Sequence, residues 1–143
     1  MELVILIGMQ ASGKSTFVRQ RLFDTHVRIN LDMLRTRARE RRLVEACIAA
    51  KQRFVVDNTN PTRADRERYV AVARAAGFRT VAYWFDVDAE ECRKRNAERE
   101  GKKAVPAVAI ARTLARLEPP SLDEGFDEVR RVTLGTEGSF VVD

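Results

Sequence analysis

The 143-residue chain has little with which to build cross-links or metal clusters, because it contains only two cysteines and one histidine. Cys47 and Cys92 lie far apart, with neither the spacing of zinc ligands nor the density of a disulfide framework. We therefore expect two reduced, buried thiols and a cytoplasmic location. The single histidine, His26, suggests no site of its own.

Long hydrophobic runs are also lacking. The run from Leu3 to Ile7 is far shorter than the roughly 20 apolar residues that span a bilayer, and no basic segment with a long apolar stretch opens the chain. The sequence therefore predicts neither a membrane span nor a signal peptide. Its length, with 45% apolar and 33% charged residues, is that of one globular domain, residues 1–143.

Acidic residues are outnumbered by basic ones. The chain has 26 Lys and Arg against 21 Asp and Glu, which gives a net charge of +5 and a pI near 9.7. An anionic partner such as nucleic acid suits this balance, although a bias of composition towards arginine and alanine explains it equally well. The run 35–42, RTRARERR, leaves a similar choice between a solvated helix face and a surface that binds a nucleic-acid backbone.

The strongest signal is the segment 8–16, GMQASGKST. It follows the apolar run 3–7 and precedes residues 17–22, which can continue as a helix. This is the G-x-x-x-x-G-K-[ST] pattern in its strand–loop–helix context. Its glycines let successive backbone N–H groups curl around phosphate oxygens, its lysine can reach the β- and γ-phosphates, and its serine can hold Mg²⁺. We therefore expect a nucleoside triphosphate with Mg²⁺, bound by Gly8, Ala11, Ser12, Gly13, Lys14, Ser15 and Thr16.

Strands and helices alternate along the rest of the chain. The patterns predict strands at 2–7, 27–30, 53–57, 78–85 and 129–134, with a last short strand at 139–142. They predict helices at 31–51, from an N-cap at Asn60 to residue 76, from 88 to a break at 101–103, and at 105–117. This alternation indicates an α/β, P-loop NTPase fold: a mainly parallel sheet of about five strands, helices on both faces and a small helical lid.

Two charged residues follow the second predicted strand. Asp32 and Arg35 are three residues apart on the predicted helix and should share a face. Asp32 could accept the proton of an attacking hydroxyl, and Arg35 could bind an anionic group of the acceptor. A capping aspartate with an ordinary ion pair explains the same spacing, so the local sequence leaves both interpretations open.

Other candidates lie further along. Asp57 ends a buried-type strand, where it could act on Mg²⁺ directly or through water, orient Arg35, or simply begin a turn. Arg95 and Arg99 are four residues apart on a helix that is followed by Gly101, Lys102 and Lys103. Such cations could form a mobile lid over the γ-phosphate or an ordinary solvated helix face.

Taken together, these segments resemble the polynucleotide 5′-hydroxyl kinase family, the kinase half of phage, bacterial and animal end-repair enzymes. The resemblance covers about Leu3 to Val129, and its D-x-x-R, DNTNP and RN-x-x-R motifs are more particular than the phosphate-binding loop. It is carried by segments 8–16 (GMQASGKST), 29–35 (INLDMLR), 55–61 (VVDNTNP), 68–77, 95–99 (RNAER), 103–106 (KAVP) and 124–129 (EGFDEV).

The resemblance implies roles for the candidates. Asp32 matches the general base for a 5′-hydroxyl, and Arg35 matches a ligand of the acceptor's 3′-phosphate. Asp57 matches an acid that supports this arginine or the metal, and Arg99, with Arg95, matches lid arginines on the phosphates of ATP. The implied partner is a DNA or RNA end with a 5′-hydroxyl. Many relatives also carry a phosphatase or ligase domain, for which 143 residues leave no room, so a separately encoded partner is an expectation.

Three functions remain open from the sequence. The first is transfer of the ATP γ-phosphate to a polynucleotide 5′-hydroxyl, with the phosphoryl donor on the loop and Asp32 beside it. The second is transfer to a small hydroxyl compound such as a nucleoside, sugar or antibiotic. The third is a non-catalytic nucleotide-binding module, against which the presence of both Lys14 and Asp32 argues.

Overall fold

The computed structural model describes residues 1–99 and 104–143. Within these ranges one sheet has six strands, in the order β2-β3-β1-β4-β5-β6. The first five pair in parallel and β6 is antiparallel. A mainly parallel sheet is confirmed, and its sixth strand is the short one expected at the end. The strands are β1 (Glu2–Ile7), β2 (Val27–Ile29), β3 (Phe54–Asp57), β4 (Arg79–Phe85), β5 (Glu128–Leu134) and β6 (Phe140–Val142).

Helices connect the parallel strands, as βαβ units require. Helix α1 continues as a π-helical segment, Val18–Leu22, before β2. None of the helices in the described ranges is both long and apolar enough to cross a membrane. The helices are α1 (Lys14–Phe17), α2 (Leu31–Leu34), α3 (Arg37–Ala49), α4 (Arg63–Ala75), α5 (Ala89–Ala97) and α6 (Ala107–Arg116).

The core has two halves, one on each face of the sheet. In β1, Leu3, Ile5 and Ile7 face the half that is packed by α3 and α4, while Val4 and Leu6 face the half that is packed by α1, α5 and α6. A parallel strand that is buried on both faces needs apolar side chains at successive positions, which explains the uninterrupted apolar run 3–7. Helices on both faces are therefore confirmed.

The helix predicted over 31–51 is wrong. Two helices replace it, because Arg35 leaves α2 with a φ of 77° and Thr36 starts α3, its side-chain oxygen accepting a hydrogen bond from the Arg39 N–H. A threonine within a helical pattern can serve as a cap instead of continuing the helix. Asp32 and Arg35 consequently do not share the face of one continuous helix.

The N-cap predicted at Asn60 is also wrong. Thr62 caps α4 and forms a reciprocal capping box with Asp65. Asn60 instead takes a left-handed backbone conformation, with φ 45°, and its buried amide donates to the Leu6 carbonyl at 2.8 Å. Asn60 therefore ties the end of β1 to the loop after β3, and the helix begins two residues later.

A fully buried guanidinium donates hydrogen bonds to the loop after β3. Arg66 of α4 makes two hydrogen bonds to Glu124, at 2.7 and 3.0 Å, and its Nη1 donates to the carbonyls of Asn60 and Glu118. The side chains of Arg66 and Glu124 are 1% and 5% exposed. One side chain thus joins α4, the loop after β3 and the segment that leads to β5.

Replacing Arg66 by alanine should therefore destabilise the fold strongly. The change leaves the buried Glu124 carboxylate without its cation, which typically costs about 3–5 kcal/mol. The free energy of unfolding, measured by urea denaturation, should fall by this amount. The matched control is Arg63→Ala on the same helix, whose exposed pair with Asp123 should be worth less than about 1 kcal/mol. Equal losses for the two variants would contradict a central role for Arg66.

Candidate active site

A cleft of about 950 Å³ opens at the carboxyl ends of β1 and β3. The chain passes from β1 to β2 and β3 on one side and to β4 on the other, so the cleft lies where the strand order reverses. Seven cationic and four acidic side chains of the described residues line it. They are Lys14, Arg19, Arg28, Arg37, Arg95, Arg99 and Arg116, with Asp32, Asp57, Asp65 and Glu98.

The loop between β1 and α1 forms the floor of this cleft. Gly13 has a φ of 101°, and a Cβ on it would lie 2.9 Å from the ring of Phe140, so only glycine fits. The Lys14 ammonium donates to the carbonyls of Gly8 at 2.8 Å and Met9 at 2.6 Å, so the loop is wrapped around its own lysine. Of the residues expected to bind phosphate, Ala11, Gly13, Lys14, Ser15 and Thr16 line the cleft, whereas Gly8 and Ser12 are buried and do not line it.

Burial disfavours the charged form of the Lys14 side chain. The side chain is 8% exposed, and burial lowers the pKa of its ammonium to about 8, although the nearby carboxylates of Asp57 and Asp32 act in the opposite direction. The hydrogen bonds of the ammonium described above go to neutral carbonyl oxygens, so a bound polyphosphate would add a direct anionic partner. The cradle therefore fits a phosphate group.

Three side chains meet beside the loop. The Ser15 hydroxyl donates to Asp57 Oδ2 at 2.9 Å, and Arg28 donates from Nε to the same oxygen at 2.8 Å and from Nη2 to Ser15 Oγ at 3.2 Å. Asp57 is 2% exposed and Ser15 is exposed in the cleft. Asp57 therefore pairs with Arg28 and not with Arg35, which was one of the alternatives that the sequence left open.

The pair of oxygens on Ser15 and Asp57 fits a magnesium site. Mg²⁺ is usually bound in proteins through one or two carboxylates together with substrate phosphates and water, and the two residues supply a hydroxyl and a carboxylate 2.9 Å apart. The described residues contain no cluster of three or more His, Cys, Asp or Glu that could hold a metal alone. Such a site would therefore need the phosphates of a bound nucleotide to complete it.

Asp32 also lines the cleft, from the first turn of α2. Asn30 caps this helix by accepting from the Met33 N–H at 2.9 Å, and it donates to the Asp57 carbonyl at 2.6 Å. Asn58 accepts from the Leu31 N–H at 2.8 Å. Two asparagine side chains thus fix the Asp32 backbone to the end of β3 although α2 is only one turn long.

A buried carboxylate supports Asn58 in turn. Glu40, 2% exposed, accepts hydrogen bonds from Asn58 Nδ2 at 3.0 Å, the Tyr69 hydroxyl at 2.9 Å and Arg37 Nη1 at 2.8 Å. Burial and the Glu40 carboxylate raise the pKa of Tyr69 to about 12, so its hydroxyl stays a donor. This network holds Arg37 at the mouth of the cleft.

The predicted arginines differ in position. Arg95 and Arg99 line the cleft, and Arg95 Nη2 would be 3.7 Å from a Cβ on Gly13. Arg35 is exposed and is not among the residues that line the cleft, since α2 ends before it. The expected break at 101–103, with Lys102 and Lys103, lies outside the described residues.

The sequence interpretation missed Arg28 and Arg37, which do line the cleft. Arg28 sits in β2 directly before Ile29 and Asn30, and β2 pairs with β3 next to Asp57. Connecting Arg28 with Asp57 would have required the order of the strands, which the sequence alone does not show. Arg37 was counted in a basic run, where nothing distinguished it from its neighbours.

Comparison with known proteins places the chain in a family. Residues 34–120, more than half of the chain, match the family described as an AAA domain. The chain belongs to this family. The match covers Asp57, Arg95 and Arg99, and the phosphate-binding loop lies ahead of it.

Two curated relatives bear out the resemblance to polynucleotide kinases. A bifunctional polynucleotide phosphatase/kinase of Schizosaccharomyces pombe is 27% identical over 92% of the chain and 33% of its own length. A protein of Acanthamoeba polyphaga mimivirus assigned the same function is 30% identical over 99% of the chain and 35% of its own length. The chain thus spans about a third of the length of the curated relatives that it matches.

Solved structures confirm the fold of this AAA-domain family member as that of P-loop kinases. A sugar kinase of Janibacter sp. matches with a TM-score of 0.66 at 23% identity, over 94% of the chain and 84% of the kinase. Kti12 of Chaetomium thermophilum, solved with ADP and AlF3, matches with a TM-score of 0.67 at 18% identity, over 96% and 90%. At these identities the likeness concerns the fold alone.

The lowered pKa of Lys14 predicts how stability depends on pH. Between pH 8 and about 10 the unfolded chain, where the lysine has a pKa near 10.5, binds more protons than the folded one. The free energy of unfolding of the wild type, relative to Lys14→Met, should therefore rise with pH across this window, by up to about 3 kcal/mol.

Urea denaturation at a series of pH values measures this difference. The control variant is Lys94→Met, which makes the same replacement at an exposed lysine of α5. If the difference in the free energy of unfolding between wild type and Lys14→Met does not change with pH, burial does not lower the pKa of Lys14.

Proposed function

We propose that this chain is an ATP-dependent phosphotransferase that moves the γ-phosphoryl group to the 5′-hydroxyl end of DNA or RNA. The single observation that carries the proposal is the position of Asp32, a carboxylate that lines the same cleft as Lys14 and Ser15 and lies near enough to Lys14 to act on its charge. Transfer of the γ-phosphoryl group from the bridging β-phosphate oxygen of ATP to a hydroxyl oxygen needs a cradle for the phosphates and a base for the hydroxyl proton in one shared space.

The donor half of the proposed site is the loop 8–16. Its backbone N–H groups and Lys14 would bind the triphosphate, and Ser15 and Asp57 would hold Mg²⁺. When bound, Mg²⁺ would neutralise charge on the phosphate oxygens. Arg95 and Arg99 reach the cleft from α5 and the segment after it, where they would bind the γ-phosphoryl oxygens as negative charge builds up.

The acceptor half is the wall formed by α2. The Asp32 carboxylate would accept the proton of the 5′-hydroxyl while the hydroxyl oxygen attacks phosphorus and ADP leaves. Asn30 and Asn58 would keep the carboxylate in place, because they bond the backbone on either side of it. A 3′-phosphate ligand at Arg35 stays a prediction of the resemblance, and Arg37 is the arginine of α3 that lines the cleft.

Two further features support a polynucleotide acceptor. Both curated relatives carry the name of polynucleotide phosphatase/kinases, and they match over nearly the whole chain. The cleft is also rich in arginine, a side chain suited to bidentate contact with phosphates along a backbone.

A small hydroxyl compound is the second candidate acceptor. The same fold occurs in a sugar kinase and in a gluconokinase of Sinorhizobium meliloti, the latter with a TM-score of 0.61 at 19% identity, so the fold itself is compatible with such an acceptor. Both candidates use the same donor half, so they differ only in what reaches Asp32.

Asp32→Asn should reduce the rate of phosphoryl transfer by about 10² to 10⁴-fold, because the amide cannot accept the hydroxyl proton. Affinity for ATP, measured by calorimetry, should stay within a few-fold of wild type. Glu98→Gln is the control, since Glu98 is another exposed carboxylate in the same cleft. If Asp32→Asn keeps most of the wild-type kcat, Asp32 is not the base.

Salt dependence separates the two acceptors. A polynucleotide acceptor releases counterions when arginines contact its phosphates, so kcat/KM for a 5′-hydroxyl oligonucleotide should fall steeply between 50 and 200 mM KCl. A neutral sugar or nucleoside makes no such contacts and should show little change. Steady-state kinetics at several salt concentrations measure both, and a flat profile for the oligonucleotide would favour the small acceptor.

A further inference from the structure

Arg28 has no role in the proposed phosphoryl transfer, yet its side chain contacts both residues of the proposed metal site. Its guanidinium bonds both oxygens assigned to the metal, Asp57 Oδ2 at 2.8 Å and Ser15 Oγ at 3.2 Å. The Arg28 side chain is 34% exposed and lines the cleft, so it can leave these oxygens without disturbing the core. Arg28 and a metal ion therefore compete for the same atoms.

At Ser15 the charge of Arg28, and not a shortage of lone pairs, opposes a metal ion. A hydroxyl has one proton and two lone pairs. The Ser15 proton goes to Asp57 Oδ2, and one lone pair accepts from Arg28 Nη2. The second lone pair of Ser15 stays available to a metal ion, but an ion bound there would stand beside the fixed positive charge of the guanidinium.

We propose that Arg28 is an internal counter-ion that excludes free divalent metal from the nucleotide-free site. It keeps the Asp57 carboxylate and the Ser15 hydroxyl in position until a metal–nucleotide complex arrives. The negative phosphates of that complex then compensate for the guanidinium, so the site selects metal bound to nucleotide over metal alone. The inference rests on the metal site of the proposed function and identifies Arg28 as its positioning residue.

Mn²⁺ binding to the nucleotide-free full chain tests this directly, by electron paramagnetic resonance or calorimetry. Arg28→Gln removes the charge and the fork of donors, and it should tighten Mn²⁺ binding about tenfold. Arg28→Lys keeps the charge but cannot bond both oxygens from one rigid fork, so its affinity should lie between those of wild type and Arg28→Gln.

The matched control is Arg19→Gln. Arg19 is an exposed arginine of the same cleft, and the hydrogen bond that its guanidinium makes is with Thr16, at 3.5 Å. It should change Mn²⁺ affinity less than twofold, which separates direct competition from a general loss of positive charge. Far-UV circular dichroism checks that each variant is folded.

Two outcomes would overturn the proposal. One is equal tightening by Arg28→Gln and Arg19→Gln, and the other is unchanged or absent Mn²⁺ binding in both folded Arg28 variants. Neither outcome depends on an acceptor, so the test stands apart from whether the chain phosphorylates polynucleotides.

Discussion

The parallel pairing of β1 with β3 is the constraint on which the whole cleft depends. It sets Leu6 beside Asp57, so that the phosphate-binding loop and the acid leave neighbouring strands at the same edge. The loop after β3 returns to β1 through the Asn60 amide on the Leu6 carbonyl, and the Gly8 N–H donates to the Thr59 carbonyl at 3.0 Å. Two separate segments of sequence thereby become one rigid floor.

Side-chain amides then connect this floor to α2. Asn30 and Asn58 link α2 to the end of β3, and Glu40 holds Asn58 from the core. Because an amide both donates and accepts, each asparagine can join two backbones that regular secondary structure cannot connect. A one-turn helix is too short to be stable alone, so the position of Asp32 depends on these contacts.

Much of the fold and of the loop 8–16 could be predicted from the sequence, because short segments determine these features. The strand before Gly8, the glycine and lysine spacing and the acid at Asp57 all belong to short segments whose chemistry fixes their geometry. The alternation of strands and helices gave the parallel sheet for the same reason. These features need no knowledge of which strand lies next to which.

The errors arose where distant segments decide the local structure. The sequence pattern makes Thr36 one more helical residue, whereas the structure shows it as a cap, so Arg35 was wrongly placed inside a helix that ends before it. Arg28 gains its meaning only from the neighbouring β3, and Arg66 only from Glu124, far along the chain. Tertiary contacts, and not propensity, set these positions.

The central claim is that the cleft joins an ATP donor to a polynucleotide 5′-hydroxyl. Incubation with γ-labelled ATP, Mg²⁺ and a 5′-hydroxyl oligonucleotide measures this most directly, with the same oligonucleotide already 5′-phosphorylated as the control. The account predicts label on the 5′ end of the first and none on the second. Absence of label on every DNA and RNA end, together with rapid transfer to a small alcohol, would contradict it.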